Sequence, residues 1–198
     1  AELKNQDIWK ETDKIVKTGK YTDMSGMPYD IKKKVDDCIK NTEIIDKNLK
    51  YDDEFSKMIK AKKPGAKEKK EIFSKILVWP ESTFNAARRI KIEFSIQKVC
   101  ALNFASATQP GGGVINGRKA QEETLSRQSS LYHSISPQVE FYQYHKENTS
   151  PFYSHYMIYS PNVVVFRDDY YNLINNYRVS VITSAAVNYT QLCKMYPN

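Results

Sequence analysis

The sequence predicts an α/β protein, in which a mixed sheet is flanked by helices and preceded by an N-terminal helical extension. Two observations lead to this fold class. After residue 70, short apolar segments of strand length alternate with helical segments, an order typical of a sheet covered by helices. Before it, apolar side chains recur at helical spacing, as at Ile8, Ile15 and Val16. We therefore expect a helical extension over residues 1–70 and an α/β core over residues 71–198.

The extension is predicted to hold two helices, over residues 6–20 and 29–60. They are separated by a turn at residues 25–28, which read Ser-Gly-Met-Pro. Residues 57–70 contain seven lysines around a Pro-Gly pair. Such a lysine-rich stretch is typical of an exposed connection, and a polyanionic partner would be favoured by its charge.

The core is predicted to begin with a strand at residues 76–79, which Pro80 stops. Ser82 or Thr83 is expected to cap a helix that runs through Arg89. An apolar run at residues 99–104 resembles strands that are buried on both faces. The remaining expected elements are a helix over 120–132 and strands at 157–159, 163–166 and 179–183.

Composition excludes several classes of protein. The 198 residues are 40% hydrophobic, which is enough for a sizeable core. No apolar run approaches the roughly 18 residues that cross a bilayer, so no membrane association is expected. Three widely spaced cysteines fit neither a disulfide framework nor a zinc knuckle, which predicts a cytoplasmic location. His133, His145 and His155 are not spaced as zinc ligands, so no metal is expected.

The net charge of +7 raises the alternative of nucleic-acid binding. Residues 1–70 contain 18 lysines, but also 14 acidic residues, so they form a mixed surface more than a basic stripe. Nucleic-acid binding therefore rests on charge alone, and nucleic acid is not the expected partner.

The most informative stretch is a run of three glycines, Gly111, Gly112 and Gly113, followed after seven residues by a Gln-Glu-Glu sequence. Consecutive glycines allow positive φ and let a ligand approach the backbone, and their amides can form an anion-binding concavity. A diphosphate is the expected ligand. The pattern matches neither the P-loop nor the dinucleotide-binding glycine motif.

Glu122 and Glu123 are expected at the start of a helix. Acidic residues are favoured there by the helix dipole, which is a purely structural explanation for the pair. Beside a phosphate-binding loop, however, they would lie close to the sugar that a phosphate carries. A carboxylic acid next to a glycosidic bond can protonate the leaving oxygen and then, as a carboxylate, activate water.

These residues resemble the bacterial-type poly(ADP-ribose) glycohydrolases, a branch of the macrodomain fold. The resemblance rests on Leu-Asn-Phe-Ala-Ser-Ala at 102–107, on Pro-Gly-Gly-Gly at 110–113 and on Gln-Glu-Glu at 121–123. Together with further similar segments, the resemblance covers about residues 8–190. The resemblance implies a macrodomain-like core that acts on ADP-ribose or poly(ADP-ribose) attached to protein.

The resemblance also implies roles for individual residues. Glu123 would be the catalytic acid, and Glu122 would hold ribose hydroxyls. The remaining expected ligand-binding residues are Gln121, Asn103, Ser106 and the glycines Gly111, Gly112 and Gly113. No cofactor is implied.

This sequence departs from the family in one respect. In family members the C-terminal part supplies a second glycine-rich phosphate loop. No glycine follows Gly117 in this chain. We consider three explanations: the C-terminal part is missing, a second chain completes the fold, or a shortened sheet replaces it. An incomplete site favours the alternative function of a non-catalytic ADP-ribose-binding macrodomain.

Overall fold

The computed structural model describes residues 2–45, 76–187 and 189–195. The helices in these ranges are α1 (Glu2–Thr18), α2 (Lys32–Lys40), α3 (Thr83–Glu93), α4 (Gln121–Gln128), α5 (Leu131–Ile135), α6 (Val139–Glu147) and α7 (Tyr189–Met195). The strands are β1 (Lys20–Thr22), β2 (Pro28–Asp30), β3 (Glu43–Ile45), β4 (Cys100–Ala105), β5 (Met157–Arg167) and β6 (Leu173–Ala185). A short 3₁₀ helix spans Val114–Asn116.

The main sheet has the strand order β3-β5-β6-β4. Strand β4 runs parallel to β6, whereas β5 is antiparallel to both β3 and β6. Strands β1 and β2 form a separate antiparallel pair. The predicted mixed α/β sheet flanked by helices is therefore confirmed.

Two hydrophobic clusters hold the helices against the sheet. The larger one packs the four helices from α3 through α6 against the buried side chains of β4, β5 and β6. Its members include Phe84, Leu125, Leu131, Phe141, Ile158 and Val181. The smaller one joins α1, α2 and the β1–β2 pair to β5, through residues such as Val16, Tyr21, Val35 and Phe166. Strand β4 ends at Ala105, and the glycine loop follows it.

The first predicted helix is confirmed as α1. The second, predicted over 29–60, is confirmed over Lys32–Lys40 and is wrong over residues 41–45. Helix α2 ends at Lys40, with the Asn41 side chain donating to the carbonyl of Asp37 over 2.7 Å. Glu43–Ile45 pair instead with β5 as strand β3. Local periodicity could not reveal this, because the pairing depends on a strand more than 100 residues away.

The predicted strand at residues 76–79 is wrong. These residues lie outside any strand of the described chain, and Val78 is 93% exposed. The composition of residues 76–79 favours a strand, but an extended segment forms a strand only when a partner strand supplies hydrogen bonds. The ring of Trp79 packs against the guanidinium of Arg89, 4.5 Å from the ring centroid.

The predicted helix cap at Ser82 is confirmed, since its hydroxyl accepts the amide N–H of Asn85 over 3.3 Å at the start of α3. The next strand is confirmed as β4, but its predicted burial on both faces is wrong. Leu102 is 45% exposed and Phe104 is 58% exposed, while alternate residues are buried. One face of β4 packs into the larger hydrophobic cluster through Ala101, whereas the described residues leave the face with Leu102 and Phe104 exposed, which explains this alternation.

The expected helix over 120–132 is split at Ser129. The backbone of Ser129 is extended and forms an isolated bridge to Val165, so α4 ends before it and α5 starts after it. The strands expected at 157–159 and 163–166 are one strand, β5, with an irregularity between Ser160 and Val163. The strand expected at 179–183 is confirmed as the second half of β6.

Three predictions fall outside the described residues. They are the part of the second helix over 46–60, the lysine-rich connection at 57–70 and the boundary between extension and core near residue 70. Among the helices that the structure describes, none has the length and apolar character to cross a membrane.

Candidate active site

The two carboxylates lie in the first turn of α4, directly beside the end of β4. Ala120 is extended, and the helix begins at Gln121. Glu122 is 3% exposed and Glu123 is 7% exposed. Burying two acids costs free energy unless hydrogen bonds and dipoles compensate, and the amide end of α4 supplies part of that compensation.

Glu122 accepts hydrogen bonds on both of its oxygens. The amide of Ser106 donates to Oε2 over 2.7 Å, and the amide of Gly111 donates to Oε1 over 3.2 Å. The Asn103 side chain also approaches Oε1, at 3.4 Å. Burial raises the pKa of Glu122 to about 7, with a smaller increase from Glu123, although these hydrogen bonds oppose the rise.

Glu123 is bound on one oxygen only. Its Oε1 accepts the amide N–H of Gly113 over 2.8 Å. Its Oε2 is buried and has no hydrogen-bond partner among the described residues. Buried polar atoms are rarely left unpaired, so a hydrogen-bond partner from outside the described residues is expected at Oε2.

The three glycines bring the backbone against these acids. Gly111 and Gly112 have φ values of +66° and +59°, which glycine adopts without strain. A Cβ atom at Gly112 would lie 2.5 Å from Oε1 of Glu123, and one at Gly111 would lie 2.6 Å from the Tyr132 ring. The loop therefore requires glycine for close packing as well as for its backbone angles.

The amides of the glycine loop point to acceptors within the protein. Gly111 and Gly113 donate to the two glutamates, and Gly112 donates to the carbonyl of Gln109 over 3.0 Å. The sequence predicts that these amides form a concavity that binds a diphosphate. In the structure all three amides donate to acceptors of the protein itself, so they are not free to bind an anion in the arrangement described. Contact of the glycines with a ligand stays a prediction.

Gln121 does more than the sequence suggests. Its Oε1 accepts the amide of Phe104 over 2.8 Å, and its Nε2 donates to the carbonyl of Leu102 over 2.7 Å. The side-chain amide thus binds β4 as a neighbouring strand would. Its Nε2 also reaches the hydroxyl of Thr83 at 3.1 Å, which links α4 to the start of α3.

Ser106 and Asn103 both lie beside Glu122. The hydroxyl of Ser106 accepts the amide of Gln109 over 3.2 Å and shapes the loop. The Asn103 side chain donates to the hydroxyl of Thr183 over 3.1 Å, and its Oδ1 has no partner among the described residues. Whether either residue contacts a ligand stays a prediction.

Two supporting residues were missed by the sequence reasoning. Thr183 of β6 is fully buried and orients Asn103, and its position opposite Asn103 depends on the parallel register of β4 and β6. Arg127 is fully buried, and its Nη1 donates to the carbonyl of Arg118 over 2.8 Å, which holds the end of the glycine loop. Its spacing of four residues from Glu123 is the one signal that could have found it.

The site has the components of an acid–base catalyst. One buried acid has a free oxygen, and its neighbour has both oxygens held by donors. Within the described ranges, no group of three or more His, Cys, Asp or Glu side chains could hold a metal ion. The chemistry that this geometry supports is proton transfer to and from a bound substrate.

Comparison with known proteins gives one consistent result. A family model described as the catalytic domain of microbial-type PARG matches residues 10–168. The structure of poly(ADP-ribose) glycohydrolase from Thermomonospora curvata is 35% identical, covers 98% of this chain and 68% of its own, and has a TM-score of 0.84. The same protein bound to the inhibitor ADP-HPD is 34% identical, with coverages of 98% and 67% and a TM-score of 0.82.

A structure from Deinococcus radiodurans is also similar. It is a poly(ADP-ribose) glycohydrolase in complex with ADP-ribose, it is 31% identical, and its TM-score is 0.68. The match covers 82% of this chain and 61% of that one. The comparison with curated proteins finds no match.

Proposed function

The chain belongs to the microbial-type PARG catalytic-domain family, and on that basis we infer that it is a poly(ADP-ribose) glycohydrolase. The reaction is hydrolysis of the ribose–ribose O-glycosidic bonds of ADP-ribose polymers. The substrate class is ADP-ribose polymer, including polymer attached to protein, which accords with solved relatives that hold ADP-ribose or ADP-HPD.

Glu123 is the general acid and base of this proposal. It donates a proton to the leaving ribose oxygen, and its carboxylate then takes a proton from the attacking water. The supporting observation is the asymmetry of its two oxygens: Oε1 is fixed by the amide of Gly113, while the buried Oε2 has no partner among the described residues. A fixed carboxyl group with one free oxygen can reach a substrate without breaking an existing bond.

Glu122 has a different role, although its pKa is raised to about 7. Both of its oxygens accept backbone N–H groups, so it would have to break a bond to reach the leaving oxygen. We assign it to the ribose hydroxyls, as an acceptor at the edge of the site. In its ionised form, which predominates above a pH of about 7, Glu122 also stabilises the positive charge that develops on the sugar in the transition state.

The other predicted residues complete the binding site in this proposal. Asn103 and Ser106 border the distal ribose, and Gln121 fixes the end of β4 beneath it. Gly111, Gly112 and Gly113 present a surface free of side chains to the diphosphate. The amides of Gly111 and Gly113 donate to the glutamates, and that of Gly112 donates to the carbonyl of Gln109. The diphosphate therefore binds against this surface and takes amide donors only if these acceptors release them.

The proposed location is the cytoplasm, and no cofactor is needed. All three cysteines are free, which is usual in a reducing compartment.

The substitution Glu123→Gln tests this function. The wild-type protein should shorten poly(ADP-ribose) to free ADP-ribose, and the variant should lose about 10²- to 10⁴-fold in kcat, the usual contribution of a general acid. The variant keeps an oxygen acceptor for Gly113, so ADP-ribose binding by calorimetry should be preserved. Glu93→Gln, at an exposed position of α3, is the matched control and should retain full activity.

Two outcomes would change the conclusion. Equal turnover by wild type and Glu123→Gln would remove Glu123 from the mechanism. ADP-ribose binding without any polymer hydrolysis by the wild type would favour the non-catalytic ADP-ribose-binding macrodomain instead.

A further inference from the structure

A second polar cavity lies away from the carboxylates, between α2 and the irregular part of β5. Its volume is about 440 Å³. The polar side chains that line it are Lys33, Lys34, Asp37, Asn41, Asn162 and Arg178. Three of these six side chains are cationic and one is acidic, so the wall of the cavity is predominantly basic.

The elements that form the cavity fix this arrangement. Val35 and Cys38 of α2 are buried against the sheet, which turns Lys33, Lys34 and Asp37 to the outer side of the helix. Arg178 is exposed on β6, beside the position where β5 departs from regular pairing. The cavity is therefore a consequence of how α2 packs over that irregularity.

One of the cations is held in place by a chain of hydrogen bonds. The Lys34 ammonium donates to Oδ1 of Asn176 over 2.8 Å. The Asn176 amide donates to the hydroxyl of Tyr21 over 3.4 Å, and that hydroxyl donates to the carbonyl of Ile174 over 2.7 Å. Asn176 and Arg178 are two residues apart on one strand, so they share a face and bring Lys34 and Arg178 together.

The cations of this cavity differ from many other basic residues in lacking an acidic partner. Among the described residues, the ion pairs use Lys10, Lys17, Lys32, Arg89, His133 and Arg167, and none uses Lys33, Lys34 or Arg178. A concave surface with unpaired charges of one sign concentrates the field and attracts counter-ions. The chemistry of the cavity is that of an anion site.

The cavity is on a different side of the sheet from the candidate active site. Arg178 is five residues before Thr183 on β6, and an odd separation places the two side chains on opposite faces. Thr183 faces Asn103 and the carboxylates. The basic cavity is therefore not a part of the site where the bond is cleaved.

We propose that this cavity is a phosphate-binding subsite that holds a diphosphate of the polymer at a distance from the bond being cleaved. The proposal rests on the proposed function, since poly(ADP-ribose) carries a diphosphate in every unit. A polymer bound at the active site presents its other diphosphates at high local concentration, so even a weak second contact increases affinity for long chains. The subsite makes the enzyme prefer long polymers to short ones.

The test compares long and short substrates in one pair of variants. The double variant Lys33→Gln with Arg178→Gln removes two cations from the cavity. Lys14→Gln, at an exposed position of α1, is the control for a general loss of charge. At low salt the double variant should raise the KM for long polymer about three- to tenfold, with unchanged kcat and unchanged KM for the shortest oligomer. The difference should vanish at high salt. Equal KM values for the wild type and the double variant on long polymer would overturn the proposal.

A binding measurement separates this proposal from the proposed function. In the Glu123→Gln background, fluorescence anisotropy of labelled long polymer should show weaker binding when Lys33 and Arg178 are also replaced. If the wild type hydrolyses nothing but this difference is found, the subsite stands and the proposed function fails. If Glu123→Gln binds polymer equally well with and without the replacement of Lys33 and Arg178, the subsite is refuted, whatever the activity of the wild type.

Two further ligands identify the source of the phosphate. Inorganic pyrophosphate should compete with long polymer at the cavity, and its effect should be lost in the double variant. If pyrophosphate binds through Lys33 and Arg178 but polymer does not depend on them, the ligand is a small phosphate compound and the polymer proposal is overturned. Single-stranded RNA of equal charge that binds as tightly, with the same dependence on these residues, would likewise overturn it in favour of nucleic acid.

Discussion

Replacing Gly112 by alanine should inactivate the proposed enzyme while leaving it folded. Gly112 has a φ of +59°, and its added Cβ would lie 2.5 Å from Oε1 and 3.1 Å from Cδ of Glu123. Ordinary contacts of a Cβ atom begin at 3.4 Å, so the carboxyl group must move by roughly 1 Å. The same movement pulls Oε1 away from the amide of Gly113, which is now 2.8 Å away.

Two magnitudes follow from this geometry. The left-handed backbone costs an L-residue about 1–2 kcal/mol of unfolding free energy, and the weakened bond to Gly113 adds a cost of about 1 kcal/mol. A displacement of about 1 Å in a catalytic group costs on the order of 10²-fold in rate. We therefore expect a folded protein with a modestly lower Tm and a kcat about 10²-fold below that of the wild type.

Gly26→Ala is the matched control for backbone strain. Gly26 has a φ of +84°, but nothing lies within 4 Å of its added Cβ. Its stability loss should therefore be similar or slightly smaller, and its kcat unchanged. The assay is release of ADP-ribose from polymer, together with chemical denaturation of both variants. Wild-type kcat in Gly112→Ala, or an equal loss in Gly26→Ala, would refute the reasoning.

Two further predictions concern the two residues that precede the proposed catalytic acid, Glu123. The folded state holds an extra proton on Glu122 between its ordinary pKa of 4.5 and about 7, so the free energy of unfolding should fall with rising pH across that window, by at most roughly 3 kcal/mol. Urea denaturation from pH 4 to 8 should show this fall in the wild type and a flatter profile in Glu122→Gln; equal slopes would contradict the burial effect. Gln121→Glu places a carboxylate oxygen against the carbonyl of Leu102, now 2.7 Å from Nε2, and should cost about 2–3 kcal/mol of stability at pH 7. The exposed Gln97→Glu should cost nothing measurable, and equal Tm values for the two variants would show that the Gln121 amide does not support β4.

Local signals in the sequence were sufficient where the structure is decided locally. Ser82 caps α3 through a bond to a residue three positions later, and β6 alternates buried and half-buried side chains over its second half. The start of α4 at Gln121 follows in the same way from the acidic residues in its first turn. Each of these features depends on neighbours within a few residues, which a sequence displays directly.

Features that depend on distant partners could not be predicted. Residues 76–79 have the composition of a strand but no strand partner in the described chain, whereas Glu43–Ile45, inside a helical pattern, find one in β5. Ser129 interrupts a helix because Val165 pairs with it. The inward direction of the glycine amides also depends on side chains outside the loop. From the glycine motif alone, one cannot predict whether a ligand or a glutamate accepts the hydrogen bonds of these amides.

The spacing between the glycines and the acids has a structural reason. After Gly113 the chain forms the 3₁₀ helix Val114–Asn116 and turns at Gly117, which has a φ of +76°. The carbonyl of Gly113 accepts the amide of Arg118 over 3.1 Å, so the seven intervening residues close a tight loop. Asn5 of α1 then fixes this loop from outside by donating to the carbonyl of Gly117 over 2.9 Å.

This closed loop makes the glycines and glutamates a single unit. A longer or shorter connection would move the amide of Gly113 away from Oε1 of Glu123, and the free Oε2 would lose its fixed direction. The energetic cost of burying both carboxylates is offset by the same amides, so the site is preorganised before substrate arrives. In the proposed mechanism α1 therefore contributes indirectly, since Asn5 holds the loop on which the orientation of Glu123 depends.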